Sequence, residues 1–164
     1  MHELLKECDR VTEEWGEITK DFCSPLDVVG YNYLDNRYEQ DGELFPNRII
    51  CGTESYPKKI AEVWEKVMKY NHVIGDFSWT SIDYFGEAGI GRSFYNETGG
   101  LFGEYPWHIS NCGDIDICGE IKPQGEYRKV VWNERKAPSI VVLKPEHYGK
   151  KEIVSSWGWS DVVR

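Results

Sequence analysis

Asn47-Arg-Ile-Ile-Cys-Gly-Thr-Glu-Ser55 reads as a short apolar strand that runs straight into a polar tip. A near-continuous apolar run is what a strand buried on both faces requires, the condition of a parallel sheet covered by helices. The same form recurs on either side. Leu26-Asp-Val-Val-Gly-Tyr-Asn-Tyr33 precedes it and His72-Val-Ile-Gly-Asp-Phe-Ser-Trp79 follows it, each ending in polar or aromatic groups. Before the third strand, Pro57 suits the first turn of a helix, where its missing N–H costs little, and Ile60, Val63, Trp64 and Val67 give that helix a buried stripe. Upstream, Leu4, Leu5, Cys8, Val11, Trp15 and Ile18 recur every three or four residues and predict an amphipathic helix ending near Phe22 and Pro25. The order is helix, strand, strand, helix, strand, an α/β pattern whose first crossover reads as a polar loop.

From Asp83 to Lys122 periodicity fades, glycines are frequent, and aromatics follow one another at Tyr84, Phe85, Phe94, Tyr95, Phe102, Tyr105 and Trp107. So long an irregular connection is usually a functional loop or a linker. A helix is predicted from Pro123 to Trp132, with Tyr127, Val130 and Val131 as its inner face, and Ser139-Ile-Val-Val-Leu143 is a strand candidate. No internal repeat is evident beyond the strand-then-polar-tip unit.

The 164 residues suffice for one domain with a real core. Seven Trp and ten Tyr point to packing or stacking, and a formal charge of −9 without a long Lys/Arg cluster speaks against a nucleic-acid backbone or an anionic membrane as partner. A neutral ligand fits better. No apolar run is long enough for a transmembrane helix, and Met1 to Arg10 has no signal-peptide apolar region. Five cysteines, Cys8, Cys23, Cys51, Cys112 and Cys118, without a CxxC pair suit free thiols in a reducing, cytoplasmic compartment. Cys51 reads as a small core residue. Zinc on His108, Cys112 and Cys118 lacks a fourth ligand and the usual close spacing, so neither metal nor cofactor is expected.

In parallel α/β folds ligands bind beyond the carboxyl ends of the strands. Here those ends carry Asn32 and Tyr33, Thr53 and Glu54, Ser78 and Trp79. Composition alone leaves Glu54 open as a helix N-cap or surface carboxylate, Trp79 as core, and Asn32 as a partner for neighbouring backbone.

Longer blocks narrow these alternatives. Asp27-Val-Val-Gly-Tyr-Asn-Tyr33, Pro46-Asn-Arg-Ile-Ile-Cys-Gly-Thr-Glu-Ser55, Val73-Ile-Gly-Asp-Phe-Ser-Trp-Thr-Ser-Ile-Asp-Tyr-Phe-Gly-Glu-Ala-Gly-Ile-Gly91 and Lys122-Pro-Gln-Gly-Glu-Tyr-Arg128 resemble, in order, the C-terminal part of the catalytic barrel of family 2 glycoside hydrolases of the β-galactosidase type. The resemblance implies a partial (β/α)8 TIM barrel, incomplete as a domain, with strands like the sixth to eighth within residues 1–135, and 136–164 as a barrel-exit segment or linker. It implies Glu54 as nucleophile and Trp79 as the sugar-facing platform. Asn32 or Tyr33 would hold the nucleophile's surroundings, and Glu87 would reach a sugar hydroxyl or cap its loop.

Retaining hydrolysis also needs an acid/base, which in the family lies in an Asn-Glu pair ending the fourth strand. Asn96-Glu97 falls in the long loop and Asn133-Glu134 at a helix end, so the expectation is that this group is encoded upstream of Met1. A full barrel takes about 250 residues. The chain is therefore expected to be a segment of a retaining enzyme acting on O-glycosidic bonds of β-galactosides, in carbohydrate metabolism, and inactive alone. Its expected partners are a carbohydrate substrate and either further copies or the missing barrel strands, because a partial sheet exposes edges. The alternative is a non-catalytic sugar-binding or self-assembling α/β module.

Overall fold

The computed structural model describes residues 14–95, 102–134, 136–150, 152–154, 157–158 and 162–163. The chain opens, within these, on helix α1 over residues 14–23; the part of the expected helix from Leu4 to Val11 lies outside the described residues. Strands β1 (Val29–Asn32), β2 (Ile50–Ser55) and β3 (Val73–Ser78) form a short parallel sheet in the order β1-β2-β3. Backbone bonds fix its register: Val29 N–H donates to the Ile49 carbonyl at 2.8 Å, and Ile50 N–H to the His72 carbonyl at 2.8 Å. With helices α2 (Tyr38–Leu44) and α3 (Ile60–Lys69) on the connections, the fold is α/β and consistent with an incomplete (β/α)8-like barrel.

Compactness divides the described chain into two units. One runs to Thr53 and takes in Val63–Asp76; the other takes in Glu54–Glu62 and the chain from Phe77 onward.

The core of the first unit is Cys23, Val29, Tyr31, Tyr38, Ile50, Val63 and Val73, with Leu34, Val67 and Tyr70 packed against it. The expected polar loop after β1 proves to contain helix α2, led in by a 3-10 turn at Asp35–Arg37. Its buried face is not apolar. Arg37, Tyr38 and Asp41 are all within 2% of full burial, a polar stripe that hydrophobic periodicity does not register. Arg37 reaches Asp41 through Nη2 to Oδ1 at 2.5 Å and Nε to Oδ2 at 3.2 Å. Tyr31 Oη donates to Asp41 Oδ2, and Arg48 Nη1 donates to Tyr31 Oη at 3.0 Å. Burial, followed by the bond to Asp41, pushes the Tyr31 phenol up to about 12.

In α3 the apolar stripe is as expected: Pro57 begins a 3-10 lead-in, and Ile60 and Val63 are fully buried. In the second unit the stretch from Asp83 to Lys122 is irregular but tightly organised. Strands β4 (Tyr84–Phe85) and β6 (Ile109–Ser110) pair antiparallel, and the buried Asp83 carboxylate gathers the loop. It accepts from Gly113 N–H at 2.7 Å and from Lys122 Nζ at 2.9 and 3.1 Å, while Lys122 also donates to the Asn111 carbonyl. Gly113 is required by this approach, since a Cβ there would stand 2.3 Å from the Asp83 nitrogen.

Burial raises the Asp83 carboxyl above its ordinary range, and Lys122 opposes that rise. The folded state therefore holds the Asp83 proton more tightly than the unfolded one, and stability falls as pH rises through the raised value. Lys122→Met is expected to cost on the order of 3 kcal/mol at neutral pH, where the buried carboxylate loses its cation. The loss should shrink on acidification, as protonation removes the charge. Urea denaturation at a series of pH values checks this, and a pH-independent loss would contradict it.

Helix α4 (Pro123–Val131) confirms the predicted helix but corrects its face. Gln124, Gly125 and Glu126 are buried, whereas Val130 is exposed. The polar first turn docks through hydrogen bonds, with Gln124 Nε2 donating to the Gly113 carbonyl at 2.7 Å, so apolar pattern misidentified the inner side. Just past the end of α4, Asn133 has a left-handed φ of 60°, with bonds from Asn133 N–H to the Val130 carbonyl and from Glu134 N–H to the Lys129 carbonyl. That is a helix-stop geometry, and it accounts for the Asn133-Glu134 dipeptide. Asn96-Glu97 lies outside the described residues.

Four further strands of two or three residues form two short antiparallel pairs. The strand expected over 139–143 is confined to β7 (Val142–Leu143), paired with β9 (Val162–Val163), while β5 (Phe94–Tyr95) pairs with β8 (Glu152–Val154). Trp157 packs edge-on against Tyr56, with ring centroids 5.1 Å apart.

Candidate active site

Glu54 is the penultimate residue of β2 and is half-buried. It does not cap the following helix: the residue leading into the 3-10 turn is Tyr56, and no side-chain cap bond is made there. Among the described residues nothing hydrogen-bonds or ion-pairs with the Glu54 carboxylate. Side chains alternate along β2, which places Glu54 on the face that also carries the buried Ile50 and Gly52.

The neighbouring strand end is tied to it in register. Trp79 N–H donates to the Ser55 carbonyl at 3.0 Å, and the Ser55 and Ser78 hydroxyls lie 3.3 Å apart. Ser78 in turn accepts from Arg128 Nη2 at 2.6 Å, and Arg128 also ion-pairs with Asp114. A helix 50 residues downstream thus braces the tip of β3.

Trp79 follows directly and is half-buried; its peptide bond to Thr80 is cis. Its indole Nε1–H donates to Tyr84 Oη at 3.1 Å, and the two rings meet edge to face, 5.9 Å and 89° apart. Tyr84 Oη donates to Glu87 Oε2. Burial first, and then Glu87, raises the Tyr84 phenol above its ordinary value. Trp79 and Glu87 are therefore brought together, with Tyr84 between them. Glu87 is exposed and sits in the left-handed region at φ 37°, after Gly86 at φ 115°.

In the first unit, Asn32 ends β1, is exposed, and its Oδ1 accepts from Thr53 Oγ1. Tyr33 is half-buried with a left-handed φ of 54°, which turns the chain sharply out of the strand. Sequence reasoning placed Asn32, Tyr33, Glu54 and Trp79 at strand tips and Glu87 in the loop beyond, but missed Tyr84 as the link; its signal was a tyrosine shortly after the Trp79 strand.

Other titratable groups suit structural work. Cys51 is half-buried, and burial and then Asp76 push its thiol up, away from thiolate chemistry. Cys112 is buried, bonded by Ser110 and raised to about 11 by burial. Cys23, Cys51, Cys112 and Cys118 are free thiols. Among the described residues no group of three His, Cys, Asp or Glu could hold a metal ion, and no helix is long and apolar enough to cross a membrane.

No protein-family model matches the sequence, and no curated protein matches it. Solved structures do. A glycosyl hydrolase family 2 member from Bacteroides cellulosilyticus is 40% identical over 88% of this chain, with a TM-score of 0.66. A second family 2 member, from Bacteroides cellulosilyticus DSM 14838, is 37% identical over 88%, with a TM-score of 0.60. The chain spans only 19% and 16% of the length of those two proteins. Identity at that level, carried over nearly the whole chain and onto a matching backbone, makes this chain over most of its length a homologue of glycosyl hydrolase family 2.

Proposed function

We propose that the chain is the C-terminal part of the catalytic barrel of a retaining β-galactosidase, with β1, β2 and β3 as the sixth, seventh and eighth barrel strands. The observation that carries the reading is a half-buried carboxylate, Glu54, at the tip of a strand in a parallel sheet, with the Trp79 strand end bonded in register beside it, inside a segment homologous to glycosyl hydrolases. Glu54 attacks the anomeric carbon as the bond to the leaving oxygen breaks, forming a glycosyl ester. Water then cleaves that ester and returns the carboxylate. The leaving oxygen takes its proton from an acid/base carboxylate to which no residue of this chain is assigned. Trp79 stacks its indole on the C–H face of the pyranose, and Asn32, Tyr33 and Glu87 supply polar contacts to the hydroxyls and to the surroundings of the nucleophile.

The protein would act in carbohydrate metabolism in a reducing, cytoplasmic compartment, with residues 1–135 in the barrel and 136–164 leading out of it. Exposed Ile74 and Phe77 on β3 are then covered by the remaining barrel strands or by another copy. Incubating the protein that carries this segment with a 2-fluoro-β-galactoside, followed by peptide mass spectrometry, is expected to give an adduct on Glu54. An adduct on another carboxylate would overturn the nucleophile assignment, and trapping only by a different 2-fluoro sugar would overturn the galactoside one.

A further inference from the structure

We propose that Tyr84, steered by Glu87, is a positioning residue that fixes the plane of the Trp79 indole. The inference rests on the reading of Trp79 as a sugar platform and adds what holds that platform in place. An indole N–H can only donate, and a phenol carries one proton beside its lone pairs. For Tyr84 Oη to accept from Trp79 Nε1 at 3.1 Å, its own proton must point elsewhere. Glu87 Oε2 takes that proton, so the carboxylate sets the direction of the lone pair that receives the indole.

Each member of the relay is held by a different local device. Tyr84 stands opposite Ser110 in the β4–β6 pair, and the Ser110 hydroxyl donates to Cys112 Sγ at 3.1 Å. Ser110 itself is fully buried, so the strand that carries Tyr84 is paired against a buried neighbour. Glu87 reaches back three residues to Tyr84 because Gly86 and Glu87 both take left-handed backbone, a conformation that a Glu adopts rarely. Edge-to-face packing at 5.9 Å and 89° fixes the tilt between the rings, and the hydrogen bond fixes the remaining rotation. A half-buried Trp at the end of a strand would otherwise divide its time among side-chain rotamers, and only the one that presents its face can stack on a pyranose. Holding that rotamer in advance removes an ordering cost from sugar binding.

The test is Tyr84→Phe in the full protein, which keeps the ring and deletes only the acceptor. Turnover of p-nitrophenyl β-galactoside is followed beside hydrogen–deuterium exchange of the Trp79 indole N–H, read by NMR of indole-labelled protein and assigned by its loss in Trp79→Phe. KM is expected to rise about 3- to 10-fold, the effect of one neutral hydrogen bond, with kcat little changed because the platform touches ground and transition states alike. The indole N–H should exchange faster. Glu87→Ala should reproduce the faster indole exchange, and Glu87→Gln, which keeps an acceptor oxygen, should restore most of the protection. Unchanged indole exchange in Tyr84→Phe overturns the clamp and leaves the nucleophile assignment standing. Faster exchange with an unchanged KM overturns the link between indole orientation and sugar binding, and with it the platform role of Trp79.

Discussion

Glu54→Gln is expected to lower kcat about ten-thousandfold, a barrier increase of about 5 kcal/mol, while the protein stays folded. Glutamine keeps the shape of the side chain and its half-buried place in β2. It cannot form the glycosyl ester, and it brings no negative charge to a transition state that is positive at the anomeric carbon. A purely structural Glu54 would behave differently. With no hydrogen bond or ion pair to its carboxylate among the described residues, and no cap to lose, the substitution would then leave turnover near normal. Steady-state kinetics on a β-galactoside, with thermal melts alongside, separates the two cases. Turnover within tenfold of the unmodified enzyme would remove Glu54 from the chemistry.

Asp41→Ala is expected to be the most damaging single change to the fold, at about 3–5 kcal/mol. Asp41 is 1% exposed and is the shared anion of a buried group: Arg37 and Tyr31 hydrogen-bond to it, and Arg48 stands 3.7 Å from Oδ2. Deleting the carboxylate leaves two guanidinium groups, each at least nine-tenths buried, without the charge that offsets their desolvation. Domains of this size are stable by only about 5–15 kcal/mol, so a large part of the margin would disappear. Urea denaturation should show a lower midpoint, and hydrogen exchange should show α2 opening first. A loss below about 1 kcal/mol would mean that the group relaxes to take up water and is not the anchor of α2.

The sequence was enough to find β1, β2, β3 and α3, because each has an apolar run or stripe bounded by turn residues, and it found α4 from the proline that opens it. It was enough to place Glu54 and Trp79 at the ends of their strands, since a parallel strand's tip follows from where its apolar run stops. The resemblance over Gly52-Thr-Glu-Ser55 and Asp76-Phe-Ser-Trp79 then carried the family, which the structural relatives bear out. Helix α2 escaped because its inner face is Arg37, Tyr38 and Asp41; a buried ion-pair group looks, residue by residue, like a solvated loop. The inner side of α4 escaped for the same reason, with Gln124 and Glu126 buried and Val130 exposed. What the sequence by itself determined, then, is the order of the elements, the polar ends of the strands and the residue types gathered there, all of which follow from local patterning of apolar and polar side chains. Only the tertiary structure decided the partners of those side chains: Asp41 between Arg37 and Arg48, Lys122 on Asp83, and Tyr84 between Trp79 and Glu87. A hydrogen bond depends on distance and direction in space, and neither is written in the spacing of residues along a chain.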